Sequence, residues 1–122
     1  MLIIVAHGSR DPRWRASVES VTESLQGELG REALRLAYMD CAPPTLDDVV
    51  AEAVDSGVRH IRVLPLFLAD EGHVDRDVRP AVAAASAAHP SADIRLLPAM
   101  GQHRFFREML AKITTEESKL DE

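Results

Sequence analysis

One cysteine in 122 residues cannot form a disulfide within the chain, so Cys41 fits a reducing compartment and leaves the fold to packing. Basic residues are outnumbered, 14 Lys and Arg against 20 Asp and Glu, for a formal net charge of −6. That balance argues against nucleic acid and against an anionic membrane surface as partners, and any anionic ligand would need a local positive patch. Long hydrophobic runs are also missing. The longest, Leu2–Ala6 and Val63–Ala69, fall far short of the about 20 residues that span a bilayer. The first run lacks the basic flank and small-residue cleavage site of a signal peptide, which sets the expectation of a cytoplasmic protein. There is no GxGxxG and no P-loop, so dinucleotide and nucleotide-phosphate chemistry has no support. Ser9 is not in a G-x-S-x-G elbow, which excludes that form of serine nucleophile. No linker and no internal repeat breaks the chain.

What is present is an alternation of two periods. Leu2–Ala6 is a β-rich run, apolar on both faces, as a buried parallel strand should be. Trp14, Val18, Val21, Leu25 and Leu29 recur at helical spacing, with Gly30 as a stop. Ala33–Met39 reads as the second strand. Thr45 is placed to N-cap a helix with Asp48 three residues on, a stripe of Leu46, Val49, Val50, Ala53 and Val54, and Gly57 at its close. His60–Phe67 reads as the third strand, and an alanine-rich helix follows over residues 77–88. Pro80 is tolerable in its first turn and Pro90 lies beyond its end. Asp93–Leu97 is the fourth strand, and Phe105, Phe106, Met109, Leu110 and Ile113 mark the last helix. The charged segment 114–122 reads as a frayed tail. Four strands alternating with four helices predict one α/β domain over 1–122, a three-layer sandwich on a four-stranded parallel sheet with right-handed crossovers.

In open α/β sheets ligands sit beyond the carboxyl ends of the strands, so those four loops are where chemistry belongs. They read His7-Gly8-Ser9-Arg10-Asp11-Pro12, then Asp40-Cys41-Ala42-Pro43-Pro44, then residues 68–76 (LADEGHVDR), then Pro98 to His103. Two histidines, His7 and His73, and one carboxylate, Asp40, therefore stand at three loop mouths. His60 begins a strand and His89 ends a helix, both at the opposite edge. Taken singly, each has a plainer reading. A loop histidine is as readily a solvated side chain as a ligand, Asp40 ahead of Ala-Pro-Pro is first a turn acid, and His103 is first a structural residue of the last helix. Cys41 reads as a small buried filler. Arg10, Arg13 and Arg15 run against the helix macrodipole, and their clustering in an acidic chain favours an anion-binding role.

Taken together, "AHGSRDP" after the first strand and "LPLFLADEGHVDRDVRP" on and after the third resemble the short class II tetrapyrrole chelatases. These are the sirohydrochlorin cobaltochelatases and their nickel- and iron-inserting relatives. The resemblance runs over nearly the whole chain, and the pairing of the two motifs at this separation is its most specific part. It implies a chelatase-like fold, metal-binding and catalytic roles for His7 and His73, and a carboxylate role for Asp40, where the family usually has glutamate. Asp70 and Glu71 stand where the family tends to have small residues. Cobalt, nickel or iron(II) enters as substrate, with no permanently bound cofactor. Neutral imidazoles suit these ions, an incomplete ligand set lets the ion leave, and imidazole or carboxylate can take the two pyrrole N–H protons it displaces. Ser9, Arg10, Arg13, Gly72 and Arg76 are the candidates for binding the polycarboxylate macrocycle. A single domain of this kind offers half a cleft, which predicts a homodimer with the His7 and His73 loops of both chains around a shared cavity. Two other functions compete: a non-catalytic metal or tetrapyrrole carrier, and a phosphoryl transferase using His7 as nucleophile with Arg10 on the phosphate.

Overall fold

The computed structural model describes residues 1–72 and 74–119. Its strands are β1 (Leu2–Ala6), β2 (Leu34–Tyr38), β3 (His60–Pro65) and β4 (Asp93–Leu96). Its helices are α1 (Pro12–Leu29), α2 (Leu46–Asp55), α3 (Arg79–Ala88) and α4 (Arg104–Ser118). A π-helical turn, Val74–Val78, leads into α3, and a short 3-10 turn, Met100–Gln102, precedes α4. All three strand pairings are parallel, in the order β2-β1-β3-β4. The chain thus winds outward from β1 to β2, returns across the sheet, and winds the other way through β3 and β4.

The period-two alternation of β-branched residues makes the sheet two-faced. Ile3 pairs with Val63 and Val5 with Pro65, and all four are fully buried on one face. Leu46, Val49, Val50 and Ala53 of α2, with Val82 and Ala85 of α3, pack on that side with Val74, Val78, Ile61 and Ile94 to form the hydrophobic core. The local signals for α2 act as anticipated. The Thr45 hydroxyl accepts the Asp48 N–H, and the Asp48 carboxylate accepts the Thr45 N–H. Pro80 sits in the first turn of α3, where its missing N–H costs nothing.

The opposite face, carrying Ile4 and Leu64, is covered more thinly, by α1 along β2 and by the start of α4, whose Phe105, Phe106 and Met109 share a pocket with Leu64. In α1 the anticipated apolar stripe is not a core stripe. Trp14, Val21 and Leu29 are 51, 59 and 62 % exposed, and the helix buries Thr22 alone. Polar clasps hold it instead, with the Tyr38 hydroxyl on Glu19 at 2.6 Å and the Gln26 amide on the Leu34 carbonyl at 2.8 Å. Helix α4 buries none of its side chains, and it runs through the supposed tail to Ser118. Thr114 and Thr115 bond back to the carbonyls of Leu110 and Ala111, a mode open to them inside a helix; residues 120–122 lie outside the described residues. Among the described residues no helix is long and apolar enough to cross a membrane.

Candidate functional site

The winding reverses between β1 and β3, so the crevice where such sheets bind ligands opens between the ends of those two strands. His7 stands there, one residue past β1. Its ring meets Phe67 edge to face, with centroids 4.9 Å apart and planes at 80°. On one side His7 borders a pocket of about 380 Å³ lined also by Met39, Asp40, Arg76 and Asp77. On the other it borders an apolar pocket of about 270 Å³ with Trp14, Val18, Leu66 and Phe67. An imidazole with a polar, charged pocket on one side and an apolar wall on the other suits a reactant that has both charged and apolar parts.

The loop after β1 is held from three directions. The Gly8 N–H donates to Asp40 Oδ1 at 3.1 Å, and any side chain at Gly8 would run into the Asp40 carbonyl. Only glycine permits that approach of the first loop to the second. The Ser9 hydroxyl accepts the Asp11 N–H at 3.1 Å, and the Ser9 carbonyl accepts from the Arg15 guanidinium, which also pairs with Glu19 at 3.4 Å. Asp11 caps α1 by accepting the Arg13 N–H, and it pairs with the Arg13 side chain at 3.0 Å. That guanidinium holds the Asp11 carboxyl below its ordinary range. Arg13 therefore turns onto its own cap, while Arg10 is exposed on the loop. Two of the three arginines crowding the helix start are thus matched by acids, which removes much of the dipole penalty that made the cluster stand out.

Beyond β2, the Ala42 N–H returns to the Asp40 carbonyl at 2.7 Å, closing a three-residue turn around Cys41. Cys41 has φ +61° and is exposed, contrary to the buried filler anticipated. The turn needs the left-handed backbone at its middle residue, and that throws the thiol outward.

Beyond β3, Gly72 adopts φ +78° and its carbonyl accepts the Arg76 N–H at 2.9 Å, while the Asp70 carbonyl accepts from Asp75 at 3.1 Å. The coil therefore starts at Val74, three residues before the anticipated helix start, as a wide π turn of the kind common at functional sites. Its buried residues are Val74 and Val78, and Arg76 and Asp77 between them reach the pocket. Asp70 Oδ1 accepts the Ala99 N–H at 2.7 Å, so this acid ties the third loop to the fourth; Glu71 is exposed. His73 lies outside the described residues.

The remaining histidines keep to structural places. His103 caps α4, its Nδ1 accepting the Phe105 N–H at 3.1 Å. His60 stands 3.8 Å from Asp93 at the far edge of the sheet, and His89 closes α3. The structure thus gathers His7, Asp40 and Arg76 at one pocket, sets Ser9 and Gly72 in the loops that frame it, and turns Arg13 away. Asp77, Met39 and Phe67 are the pocket and wall residues that the sequence reading passed over. Asp77 stands in the quoted motif LPLFLADEGHVDRDVRP, but reading it as the helix start hid it. Among the described residues, no group of three or more His, Cys, Asp or Glu side chains is gathered to hold a metal ion.

Comparison with known proteins gives the same picture. The sirohydrochlorin cobaltochelatase of Methanopyrus kandleri is 36 % identical over 77 residues, which is 63 % of this chain and 54 % of that protein. The sirohydrochlorin ferrochelatase of Bacillus subtilis is 23 % identical over 93 residues, 76 % of this chain and 36 % of that one. The chain spans about half the length of the cobaltochelatases it matches. Among solved structures, the CbiX protein of Marinobacter aquaeolei VT8 superposes with a TM-score of 0.82 at 32 % identity, covering 99 % of this chain and 96 % of that one. The sirohydrochlorin chelatase SirB of Bacillus subtilis subspecies spizizenii, in complex with cobalt, shares the fold at a TM-score of 0.70 and 24 % identity over 78 % of this chain and 41 % of its own. The CbiX family profile matches residues 1–117, and the chain belongs to that family.

Proposed function

We propose that the protein is a metallochelatase that inserts a divalent ion, cobalt first, into sirohydrochlorin. The observation that carries this is the pocket at the switch point, where the His7 imidazole and the Arg76 guanidinium line one space. The names of the relatives support the substrate, and the cobaltochelatases among them support the metal. His7, with His73, takes the ion and the protons it displaces. Arg76 and Arg10 meet the macrocycle carboxylates, and the apolar wall of Phe67, Leu66 and Trp14 meets the face of its ring. The test follows sirohydrochlorin absorbance with Co²⁺, Ni²⁺ and Fe²⁺. Catalytic acceleration, greatest with Co²⁺, is the expected result, and His7→Ala and His73→Ala should each lower it about 100-fold or more. Stoichiometric binding without turnover would instead mark a carrier, and phosphate-ester turnover in excess chelator would mark a phosphoryl transferase.

The active form is a homodimer in this reading. Support comes from the thinly covered face: Phe105, Met109, Leu110 and Ile113 of α4 are 46 to 55 % exposed, and Trp14, beside His7, is exposed as well. Apolar side chains so grouped mark an association surface. A second copy covering it by a twofold axis would close the open side of each site.

A further inference from the structure

Among the described residues, none of the fourth loop, 98–103, lines either pocket beside His7, yet that loop is clamped to the third at two points. Asp70 Oδ1 accepts the Ala99 N–H at 2.7 Å, and Ala99 is fully buried. The Gly101 N–H donates to the Phe67 carbonyl at 3.0 Å, and a side chain at Gly101 would run into the Leu68 carbonyl. Both clamps fall on the segment 67–70. That segment begins with Phe67, whose ring meets the His7 imidazole edge to face at 4.9 Å and 80°. Aromatic pairs favour this arrangement beyond the area they bury, so each ring biases the plane of the other. The plane matters for an imidazole, because the lone pair that takes an ion or a proton lies in it.

From this we infer that Phe67 is a positioning residue that fixes the plane of the His7 imidazole, and that the fourth loop holds Phe67 there through Gly101 and Asp70. Asp70 is then a clamp between loops, acting through its acceptor oxygen and not through its charge. The effect on insertion rests on the chelatase reading, whereas the placing of the ring does not.

Two readouts on the full chain test this, with circular dichroism as the check on folding. One is steady-state insertion of Co²⁺ into sirohydrochlorin. The other is the NMR signal of the His7 ring in the resting protein, identified by its loss in His7→Ala. Phe67→Leu keeps the backbone bond to Gly101 but removes the ring, so it should lower kcat about tenfold, more than it raises KM for sirohydrochlorin. Phe67→Tyr keeps the ring and should restore most of kcat. Asp70→Ala should lower kcat about threefold and move the His7 signal toward its place in Phe67→Leu. Asp70→Asn, whose amide oxygen can still accept the Ala99 N–H, should return the signal to its wild-type place and kcat to within about twofold of wild type. A rise in KM with kcat unchanged in Phe67→Leu would make Phe67 only a wall for the macrocycle and overturn its positioning role. A His7 signal unmoved in Asp70→Ala would overturn the clamp, as would a loss in Asp70→Asn as large as that in Asp70→Ala. A wild-type chain that inserts no metal would bring down the chelatase reading itself, and the His7 signal in Asp70→Ala would still decide whether the clamp sets the ring.

Discussion

Gly8 shows how one absent side chain sets up a site. The first and second loops meet backbone to backbone there, so Gly8→Ala drives a methyl group into the Asp40 carbonyl. The loops have to part, which should cost about 1–3 kcal/mol, as overpacking does, and should move His7 off the pocket. Chemical denaturation and Co²⁺ titration of that variant should both register the change, whereas Gly27→Ala, with open space around it in α1, should gain stability slightly. Arg10 gives a different residue-scale expectation. It is exposed on the loop rather than turned onto an acid of its own helix, so Arg10→Ala should raise the KM for sirohydrochlorin with little change in Co²⁺ affinity, as loss of uniform binding does. Equal losses for both would refute its assignment to the macrocycle. His60→Ala and His89→Ala, at the far edge, should leave insertion rates near wild type.

At the scale of elements, the polar clasp between α1 and β2 takes the place of a hydrophobic seam. Tyr38 is 2 % exposed and donates to Glu19, which also receives Arg15, and Arg15 in turn holds the Ser9 carbonyl of the site loop. Burial first, then the bond to Glu19, pushes the Tyr38 phenol above its ordinary value. A group whose pKa is raised by folding contributes its stability below the unfolded value and loses it as pH climbs toward the folded one. Stability should therefore decline from about pH 10 upward, where an unfolded tyrosine ionises. Tyr38→Phe should remove that alkaline slope while costing about 1–3 kcal/mol at neutral pH through the lost charge-assisted bond. Denaturation midpoints at pH 8, 10 and 11 would decide it, and an unchanged alkaline slope in Tyr38→Phe would refute the assignment.

For the whole molecule, the imbalance between the two sheet faces carries the prediction. One face holds the continuous core of α2 and α3, whereas the other leaves α4 with no buried side chain. Light scattering at micromolar concentration should give twice the chain mass, consistent with an interface of roughly 1,600 Å² in total. Placing charge in the patch by Met109→Asp or Leu110→Asp should produce monomers with an intact fold, since neither residue belongs to the core. Specific insertion activity should fall with the dimer on dilution. A monomer with full activity at every concentration would refute the shared-cavity arrangement.

The sequence by itself determined the elements and the edge of the sheet where chemistry occurs. Strand runs, the Thr45 capping box and the glycine stops act within a few residues of themselves, so they can be read locally, as can the sorting of His7 to one edge and His60 and His89 to the other. What it could not determine depends on neighbours distant in the chain. The exposure of Trp14 and Val21 follows from which face α1 meets, because helical spacing names a stripe without naming what covers it. The engagement of Asp40 by Gly8 and of Asp70 by Ala99 follows from loops that touch only after the parallel strands align. The placing of Asp77 at the pocket follows from a π turn stabilised by burial of Val74 and Val78, a tertiary gain that overrides the local preference for an ordinary helix start. Local propensity chose the parts, and packing between distant segments brought Asp40 and Asp77 to one pocket beside His7.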